Sequence, residues 1–194
     1  MYDIEKIKEK LIQDIGEKRY KHSLRVAELA QELASIHGAD EDKAYIAGLI
    51  HDCAKYNEVA YIDKLNIDIS SYKISSIKDP VLHSFLGAEV AEKVYNVSDK
   101  DILEAIKYHT TGKKSMNKLE KIIFIADAIE PGRNFKGLDK IRKLADKDLD
   151  QAMLSLLDSN IIFLISKEAL IHPLSFEARN YLIEEKNEKA RYNS

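Results

Sequence analysis

Cysteine, glycine and proline are scarce in this chain of 194 residues, which holds one Cys, seven Gly and three Pro and has no Trp. The lone Cys53 excludes an intrachain disulfide and suits a reducing compartment, for which we expect the cytoplasm. Turn-forming residues are few, and β-branched residues do not cluster in the alternating runs that are typical of strands. The scarcity therefore predicts an all-α fold.

The chain also lacks a strong charge of either sign, with a formal net charge of −3 and an isoelectric point near 6.1. A nucleic acid polymer is therefore not expected as a partner, because proteins that bind one carry a strongly basic surface. The N-terminal residues lack the apolar run of a signal peptide, and the most apolar later stretch, 154–165, is interrupted by Asp158 and Asn160. We expect no membrane-spanning segment.

Hydrophobic residues make up 45% and charged residues 32% of the chain, which is the balance of a folded globular protein. The length is below the ~250 residues at which a single core usually divides, and no internal repeat or flexible linker interrupts the sequence. We therefore expect a single domain over residues 1–194. The densely charged end, 184–194, is expected to fray.

Apolar residues recur at helical spacing along most of the chain. The predicted helices are 3–15, 18–37, 40–55, 57–66, 80–96, 98–109, 117–130, 137–145, 148–170 and 174–190. Gly38 predicts the end of the second helix, and Asp40 predicts the N-cap of the third. The irregular stretch 67–79 is interpreted as an exposed connection.

Six side chains that bind protons or metals interrupt the apolar, core-facing stripes of five predicted helices: His22, His51, Asp52, His83, His109 and Asp127. A single histidine on such a stripe is most often a core residue that is hydrogen-bonded to a backbone carbonyl. The carboxylates are different, because an unpaired charge in an apolar environment is costly and requires a cation, several donors, or both. A structural ion pair stays an alternative for each aspartate. The convergence of four imidazoles and two carboxylates nevertheless predicts a metal site in the core of a bundle, for which iron, manganese or zinc is better suited than calcium.

The adjacency of His51 and Asp52 places a condition on this site. Neighbouring residues on a helix diverge by about 100°, so both side chains reach one ion only near a helix end. The residues 54–57 that follow the pair supply such an end.

The order of these residues resembles the HD superfamily of helical metal phosphohydrolases, whose signature is a histidine, a His-Asp pair and a distant aspartate. Here His22, the stretch 47–55 around His51 and Asp52, and Asp127 carry that signature. Further motifs narrow the resemblance to the bacterial YqeK-type subfamily, known as symmetrical dinucleoside tetraphosphate hydrolases. These motifs are the stretches 83–88, 108–112, 126–133 and 172–180. The matching part of the chain is 19–180.

The resemblance implies an HD-type helical bundle with a metal site in its core. Its metal ligands would be His22, His51, Asp52 and Asp127. His83 and His109 would face the phosphates, or a second metal, and would be catalytic together with Lys55. Weaker candidates for nucleotide contacts, besides His83 and His109, are Arg19, Asn57, Thr110, Arg133 and His172. The expected cofactor is iron, with manganese or another divalent transition metal as the alternative.

The implied reaction is hydrolysis of diadenosine tetraphosphate, and of related dinucleoside tetraphosphates, into two nucleoside diphosphates by hydroxide generated at the metal. Either His83 or His109 would protonate the leaving oxygen. Two alternatives stay open. One is another HD reaction, on a nucleoside monophosphate or a guanosine alarmone, and the other is a non-catalytic module that binds nucleotide to regulate a partner. The resemblance also implies a possible homodimer.

Overall fold

Helices provide all the regular secondary structure among residues 2–192, which a computed structural model of the chain describes. The α-helices of this part are α1 Ile4–His37, α2 Glu41–Ile50, α3 Glu58–Leu65, α4 Leu82–Tyr95, α5 Lys100–Tyr108, α6 Lys118–Ile129, α7 Leu138–Ala145, α8 Leu149–Ser166 and α9 Pro173–Tyr192. A short 3₁₀ turn, Ser70–Tyr72, lies in the irregular connection between α3 and α4. The all-α fold is confirmed.

Helix boundaries differ from the predicted ones at three places. The two helices predicted for 3–15 and 18–37 are two arms of α1, which meet at a non-helical Gly16 with φ 75° and ψ 161°. The helix predicted for 40–55 is too long, because α2 ends at Ile50 and is followed by a run of turns. The helix predicted for 148–170 ends at Ser166.

The charged C-terminal segment, for which fraying from residue 184 stays a prediction, is part of a helix in the structure. Helix α9 continues through Tyr192, and only 193 and 194 of that segment lie outside the described residues. Glu and Lys dominate the segment, and both are good helix formers. Its polarity therefore does not prevent it from continuing the helix.

The core is formed mainly by α1, α2, α4, α5, α6 and α8. Helix α1 packs most extensively against α2 and α6, and α5 lies between α4 and α6. The largest fully buried side chains are Leu11, Leu33, Leu49, Ile50, Leu82, Leu86, Ile102, Ile106, Ile122, Ile123, Ile125 and Ile129. Each such side chain contributes about 1.5–3 kcal/mol when it leaves water, so these helices are held firmly around the polar cluster described below.

Gly48 brings α2 close to α1 at the turn that precedes the His-Asp pair. A Cβ atom at this position would lie 2.8 Å from Ala27 Cα and 3.1 Å from the Val26 carbonyl oxygen. Both are backbone atoms, which cannot move aside as a flexible side chain can. The Gly48 carbonyl oxygen lies 2.6 Å from His51 Nδ1, so the backbone of the same residue orients a candidate ligand.

We expect Gly48→Ala to lower the free energy of unfolding by about 1–3 kcal/mol, because the added methyl group overpacks a backbone contact. The measurement is urea denaturation followed by circular dichroism. Gly87→Ala is the matched control, since its Cβ would meet the movable Ile106 side chain at 3.3 Å. Equal losses in the two variants would contradict the importance of the contact between α1 and α2.

Helix α8 is long and apolar enough to cross a membrane when judged by length and composition alone. Its 18-residue window has a mean hydropathy of 1.3, and 33% of that window is buried. The first half contributes Ala152, Leu156 and Leu157 to the core, whereas Ile162 and Phe163 near its end are exposed. Core helices of soluble proteins pass the same test, so this property is weak evidence for a membrane span.

Candidate metal centre

Five helices bring six polar side chains to one place in the core. His22 lies on α1, His51 and Asp52 follow the end of α2, His83 lies on α4, His109 follows the end of α5, and Asp127 lies on α6. Five of the six are buried, and the Asp127 side chain is 21% exposed. Because α2 ends at Ile50, the His-Asp pair lies at a helix end, as its adjacency requires.

Asp52 is the central carboxylate of this cluster. Its Oδ2 atom lies 3.2 Å from His51 Nε2 and 4.0 Å from His22 Nε2. Its Oδ1 atom lies 3.2 Å from His83 Nε2 and 3.7 Å from His109 Nε2. All four imidazoles therefore present Nε2 to the same carboxylate.

Asp127 closes the other side of the cluster. Its Oδ1 atom lies 3.0 Å from His22 Nε2 and 3.7 Å from His51 Nε2. Arg133 Nη2 donates to that same oxygen at 2.7 Å, and Arg133 Nε donates to the Asp127 carbonyl at 2.9 Å. The two aspartates thus share the imidazoles of His22 and His51.

The outer nitrogen of every imidazole in the cluster meets a hydrogen-bond acceptor. These contacts are His51 Nδ1 to Gly48 O at 2.6 Å, His109 Nδ1 to Ile106 O at 2.6 Å, His83 Nδ1 to Pro80 O at 2.7 Å and His22 Nδ1 to Glu130 Oε1 at 3.0 Å. A carbonyl or carboxylate oxygen can only accept, so each Nδ1 carries the hydrogen and each Nε2 lone pair faces the centre. Metal-binding histidines are fixed in the same way.

Acceptors therefore face acceptors at the centre of the cluster. His22 Nε2, His51 Nε2 and both Asp52 carboxylate oxygens are buried without a hydrogen bond among the described residues. Arg19 forms an ion pair with Asp52 from the edge of the cluster, but without the geometry of a hydrogen bond. Each unsatisfied buried group costs about 1–3 kcal/mol, and a cation between them removes that cost.

The donor set suits a divalent transition metal, because it combines imidazole nitrogens with carboxylate oxygens. Its atoms fall into two overlapping groups, His22 with His51 and Asp127, and His51 with Asp52 and His109. Within each group the candidate ligand atoms lie no more than 4.8 Å apart. His83 belongs to neither group among the described residues, although sequence reasoning treats it together with His109.

The pKa values of the central groups also favour a positive charge between them. Burial by itself raises the pKa of the Asp52 carboxyl, but the neighbouring His51 and His83 bring it well below its ordinary value. Burial lowers the pKa of His51, but Asp52 and Asp127 raise it above the ordinary value. Proton and metal ion would compete for the same place.

Glu130 and Arg25 belong to the site, although the sequence predicts no role for either residue. Glu130 accepts hydrogen bonds from His22 Nδ1, from Arg25 Nε at 2.5 Å and from the Gly132 amide. Burial raises the pKa of this carboxyl, while Arg25 and His22 lower it, to about 2 overall. An acid directly after the apolar run of α6 is a signal in the sequence, but its partners lie on α1, more than 100 positions away.

Glu130→Gln is expected to weaken metal binding about 10–100-fold. A neutral amide orients the His22 ring less firmly, and it makes His22 Nε2 a weaker electron-pair donor to the metal. The measurement is the metal dissociation constant, by competition with a chelator. Glu120→Gln is the matched control, since Glu120 is equally buried but pairs with Lys113 and caps α6. Equal affinities in all three proteins would rule out this positioning role.

The remaining residues predicted for catalysis or nucleotide binding have different surroundings. Lys55 Nζ lies 3.2 Å from His83 Nε2, and burial lowers the pKa of this lysine. Thr110 Oγ1 lies 3.4 Å from the same nitrogen. The side-chain amide of Asn57 donates a hydrogen bond to the Asp14 carbonyl and not to a residue of the cluster. His172 lies farther along the chain, with Nε2 on the Tyr72 carbonyl at 3.1 Å.

Two cavities lie near the cluster, one lined by His22 and the other approaching His83 through Thr110. The inner cavity has a volume of about 530 Å³, and its wall includes Thr110, His172 and apolar side chains of α8 such as Leu157 and Ile161. The arginine cleft has a volume of about 370 Å³. It is lined by Ile15, Gly16, Glu17, Lys18, Arg19, His22, Arg25 and Tyr56. The inner cavity is mostly apolar, whereas the cleft is rich in cationic side chains.

Comparisons with known proteins agree on one family. The family model described as HD domain matches residues 19–132, which include His22, His51, Asp52 and Asp127. A symmetrical bis(5'-nucleosyl)-tetraphosphatase of Staphylococcus aureus is 38% identical over 185 residues, covering 92% of this chain and 94% of the relative. One from Halalkalibacterium halodurans is 40% identical over 170 residues, covering 87% and 91%.

A solved structure is similar along nearly the whole chain. It is the crystal structure of a predicted HD superfamily hydrolase involved in NAD metabolism from Clostridium acetobutylicum. The TM-score is 0.87 at 45% sequence identity, and the match covers 95% of this chain and 99% of the other. The similarity therefore extends beyond the matched domain to the helices that line the inner cavity.

Proposed function

The chain belongs to the HD domain family, and on that premise we propose that it is a metal-dependent hydrolase that cleaves dinucleoside tetraphosphates symmetrically. Diadenosine tetraphosphate and water would give two molecules of ADP. The observation that carries the proposal is the convergence of four Nδ1-fixed imidazoles on Asp52 and Asp127, with both Asp52 oxygens and the Nε2 atoms of His22 and His51 left without a hydrogen bond among the described residues. The names of the relatives supply the substrate class.

The metal would be held by His22, His51, Asp52 and Asp127, and we propose iron as the resident metal, with manganese as the alternative. When bound, such a metal lowers the pKa of water and polarises a phosphoryl oxygen. The protein contributes the fixed orientation of these side chains and the exclusion of bulk water from a buried cluster. Metal analysis of the protein purified without added metal distinguishes iron from manganese.

The surrounding cations would hold the polyphosphate and offset the charge that develops on it. Arg19 forms an ion pair with Asp52, and Arg133 forms one with Asp127. Lys55 stands beside His83. These three side chains therefore surround the cluster with positive charge.

His83 is the better candidate for the proton donor to the leaving diphosphate. Burial and the neighbouring imidazoles lower the pKa of His109 to about 3, so that ring stays neutral. His83 lies outside both groups of candidate ligands, and its Nε2 is close to Lys55 and Thr110. When water attacks the phosphorus and the bridging P–O bond breaks, a His83 imidazolium, which carries a proton on Nε2 as well as on Nδ1, would give its Nε2 proton to the departing oxygen.

Separation of the products of diadenosine tetraphosphate tests the reaction directly. The metal-loaded protein is expected to produce ADP as the sole nucleotide product. AMP together with ATP, or release of inorganic phosphate, would contradict symmetrical cleavage and favour another HD reaction. Nucleotide binding without turnover at full metal occupancy would favour the regulatory module instead.

The exposed apolar end of α8 supports a proposal about assembly. Ile162, Phe163 and Ile165 are each more than half exposed there, next to a partly exposed Phe176 on α9. A patch of this kind is typical of an interaction surface, and a second copy of the chain, in the cytoplasm, is the proposed occupant. The mass of the protein in dilute solution decides between monomer and dimer.

A further inference from the structure

The four imidazoles form a row with two distinct ends. Ring contacts join His22 to His51 at 5.3 Å, His51 to His109 at 4.9 Å and His109 to His83 at 5.2 Å between centroids. His22 at one end lines the arginine cleft. His83 at the other end contacts Thr110, which lines the inner cavity. The arginine cleft therefore meets one end of the row directly, and the inner cavity approaches the other end through Thr110.

A symmetrical dinucleotide has a nucleoside on each side of the bond that breaks, so its binding site needs two pockets, one for each nucleoside. The inner cavity, with its apolar wall from α8, suits one base and sugar. The arginine cleft provides Lys18 and Arg19 for phosphates, but most of its wall is too polar to bury a base. Tyr56 is the aromatic side chain of the cleft.

Tyr56 has an unusual backbone and an unusually free ring. Its φ angle of 71° lies in the left-handed region, which is a genuine outlier for a bulky residue and tends to mark functional sites. The residue is 69% exposed. Within the described part of the chain, no hydrogen bond, ring contact or cation holds its ring in place.

The neighbours of Tyr56 explain how this conformation is maintained. On one side Lys55 is anchored at His83. On the other side Asn57 donates its amide to the Asp14 carbonyl, and its backbone N–H donates to Ala54 O at 3.1 Å. The backbone is therefore fixed on both sides of Tyr56, which leaves the ring at the edge of the cleft.

We propose that Tyr56 is a stacking platform for the base of the second nucleoside, while Arg19 and Lys18 hold the phosphates that lead to it. This assignment rests on the proposed function and deepens it. Stacking on a tyrosine face is tolerant of the base, because every base has a π-face. The platform therefore binds the second nucleoside of adenine and guanine dinucleotides alike.

The test compares Tyr56→Ala with Tyr56→Phe on two ligands. These are diadenosine tetraphosphate and adenosine 5'-tetraphosphate, which has the same phosphates but one nucleoside. Both ligands are used as analogues with methylene groups in place of the bridging oxygens, so that the metal-loaded protein does not cleave them. Calorimetry should then show about tenfold weaker binding of the dinucleotide to Tyr56→Ala, because one base loses its stacking partner. Tyr56→Phe should bind as the unaltered protein does. The base of adenosine 5'-tetraphosphate is expected in the inner cavity, because its wall is more apolar than that of the cleft, so this ligand should be affected less than about twofold in both variants.

Two controls make the result specific. Val59→Ala removes another exposed apolar side chain, on the adjacent α3, and should change neither affinity. Unchanged helical circular dichroism verifies the fold of each variant. Three results would overturn the platform: an equal loss of affinity for both ligands in Tyr56→Ala, a loss of affinity for the dinucleotide in Tyr56→Phe, or an unchanged affinity for the dinucleotide in Tyr56→Ala. Because binding is measured without turnover, these results are independent of whether the metal-loaded protein produces ADP.

Discussion

Replacing Asp127 by asparagine is expected to lower turnover of diadenosine tetraphosphate at least ~10³-fold, since a lost metal ligand removes several kcal/mol of charge stabilisation. Asparagine has the same shape but no charge. Its amide would either face Arg133 donor to donor, or turn its nitrogen toward the Nε2 atoms of His22 and His51. The variant should therefore retain less metal after dialysis, while its helical circular dichroism stays unchanged. Metal content per chain and kcat are measured on the same preparation.

Asp158→Asn is the matched control for this substitution. Asp158 is also paired with an arginine, Arg179 at 2.5 Å, but on the exposed side of α8. Its substitution should leave metal content and kcat within about twofold of the unaltered protein, as surface ion pairs contribute little. Unchanged turnover and metal content in Asp127→Asn would mean that the ligand assignment is wrong.

His83→Gln is expected to lower kcat about 10²–10³-fold while the metal is retained, because this substitution removes a proton donor and no candidate ligand. Glutamine retains hydrogen-bonding capacity, but its amide does not transfer a proton near neutral pH. The measurements are kcat and the metal content of the purified variant.

His37→Gln provides the matched control. His37 Nε2 contacts the Ala145 carbonyl at 2.6 Å, next to the Gly38 that ends α1, so its replacement should leave kcat and metal content unchanged. Loss of metal from His83→Gln would count against the donor role. It would place His83 among the ligands, beside a second ion shared with His109.

The helices and the inward direction of the cluster residues were predictable because both depend on local spacing. An apolar stripe with a period of 3.6 residues specifies which face of a helix is buried, and Asp52 and Asp127 lie on such faces. The cap at Asp40 and the helix end at Gly38 were predictable for the same reason. The end of α2 was not, because apolar residues continue through Cys53 and Ala54, and the turns that follow Ile50 depend on packing around the cluster.

The sequence could not predict which groups the candidate substrate-binding residues contact in the folded protein. Arg133 pairs with Asp127, and Asn57 with the Asp14 carbonyl. Nothing in the spacing of these residues distinguishes such contacts from contacts to a phosphate. A polar side chain near a motif therefore indicates that it belongs to the site, but not what it touches.

The sequence by itself determined an all-helical chain with four imidazoles and two carboxylates directed into its core, since periodicity and the cost of burying charge are properties of each segment. Only the tertiary structure decided that every Nδ1 is fixed by an acceptor, that Glu130 and Arg25 support His22, and that two cavities of different chemistry lie near the ends of the row. These features arise from contacts such as His22 to Glu130, 108 positions apart. No local pattern specifies such a pair, because its distance and orientation depend on how the helices pack around the core.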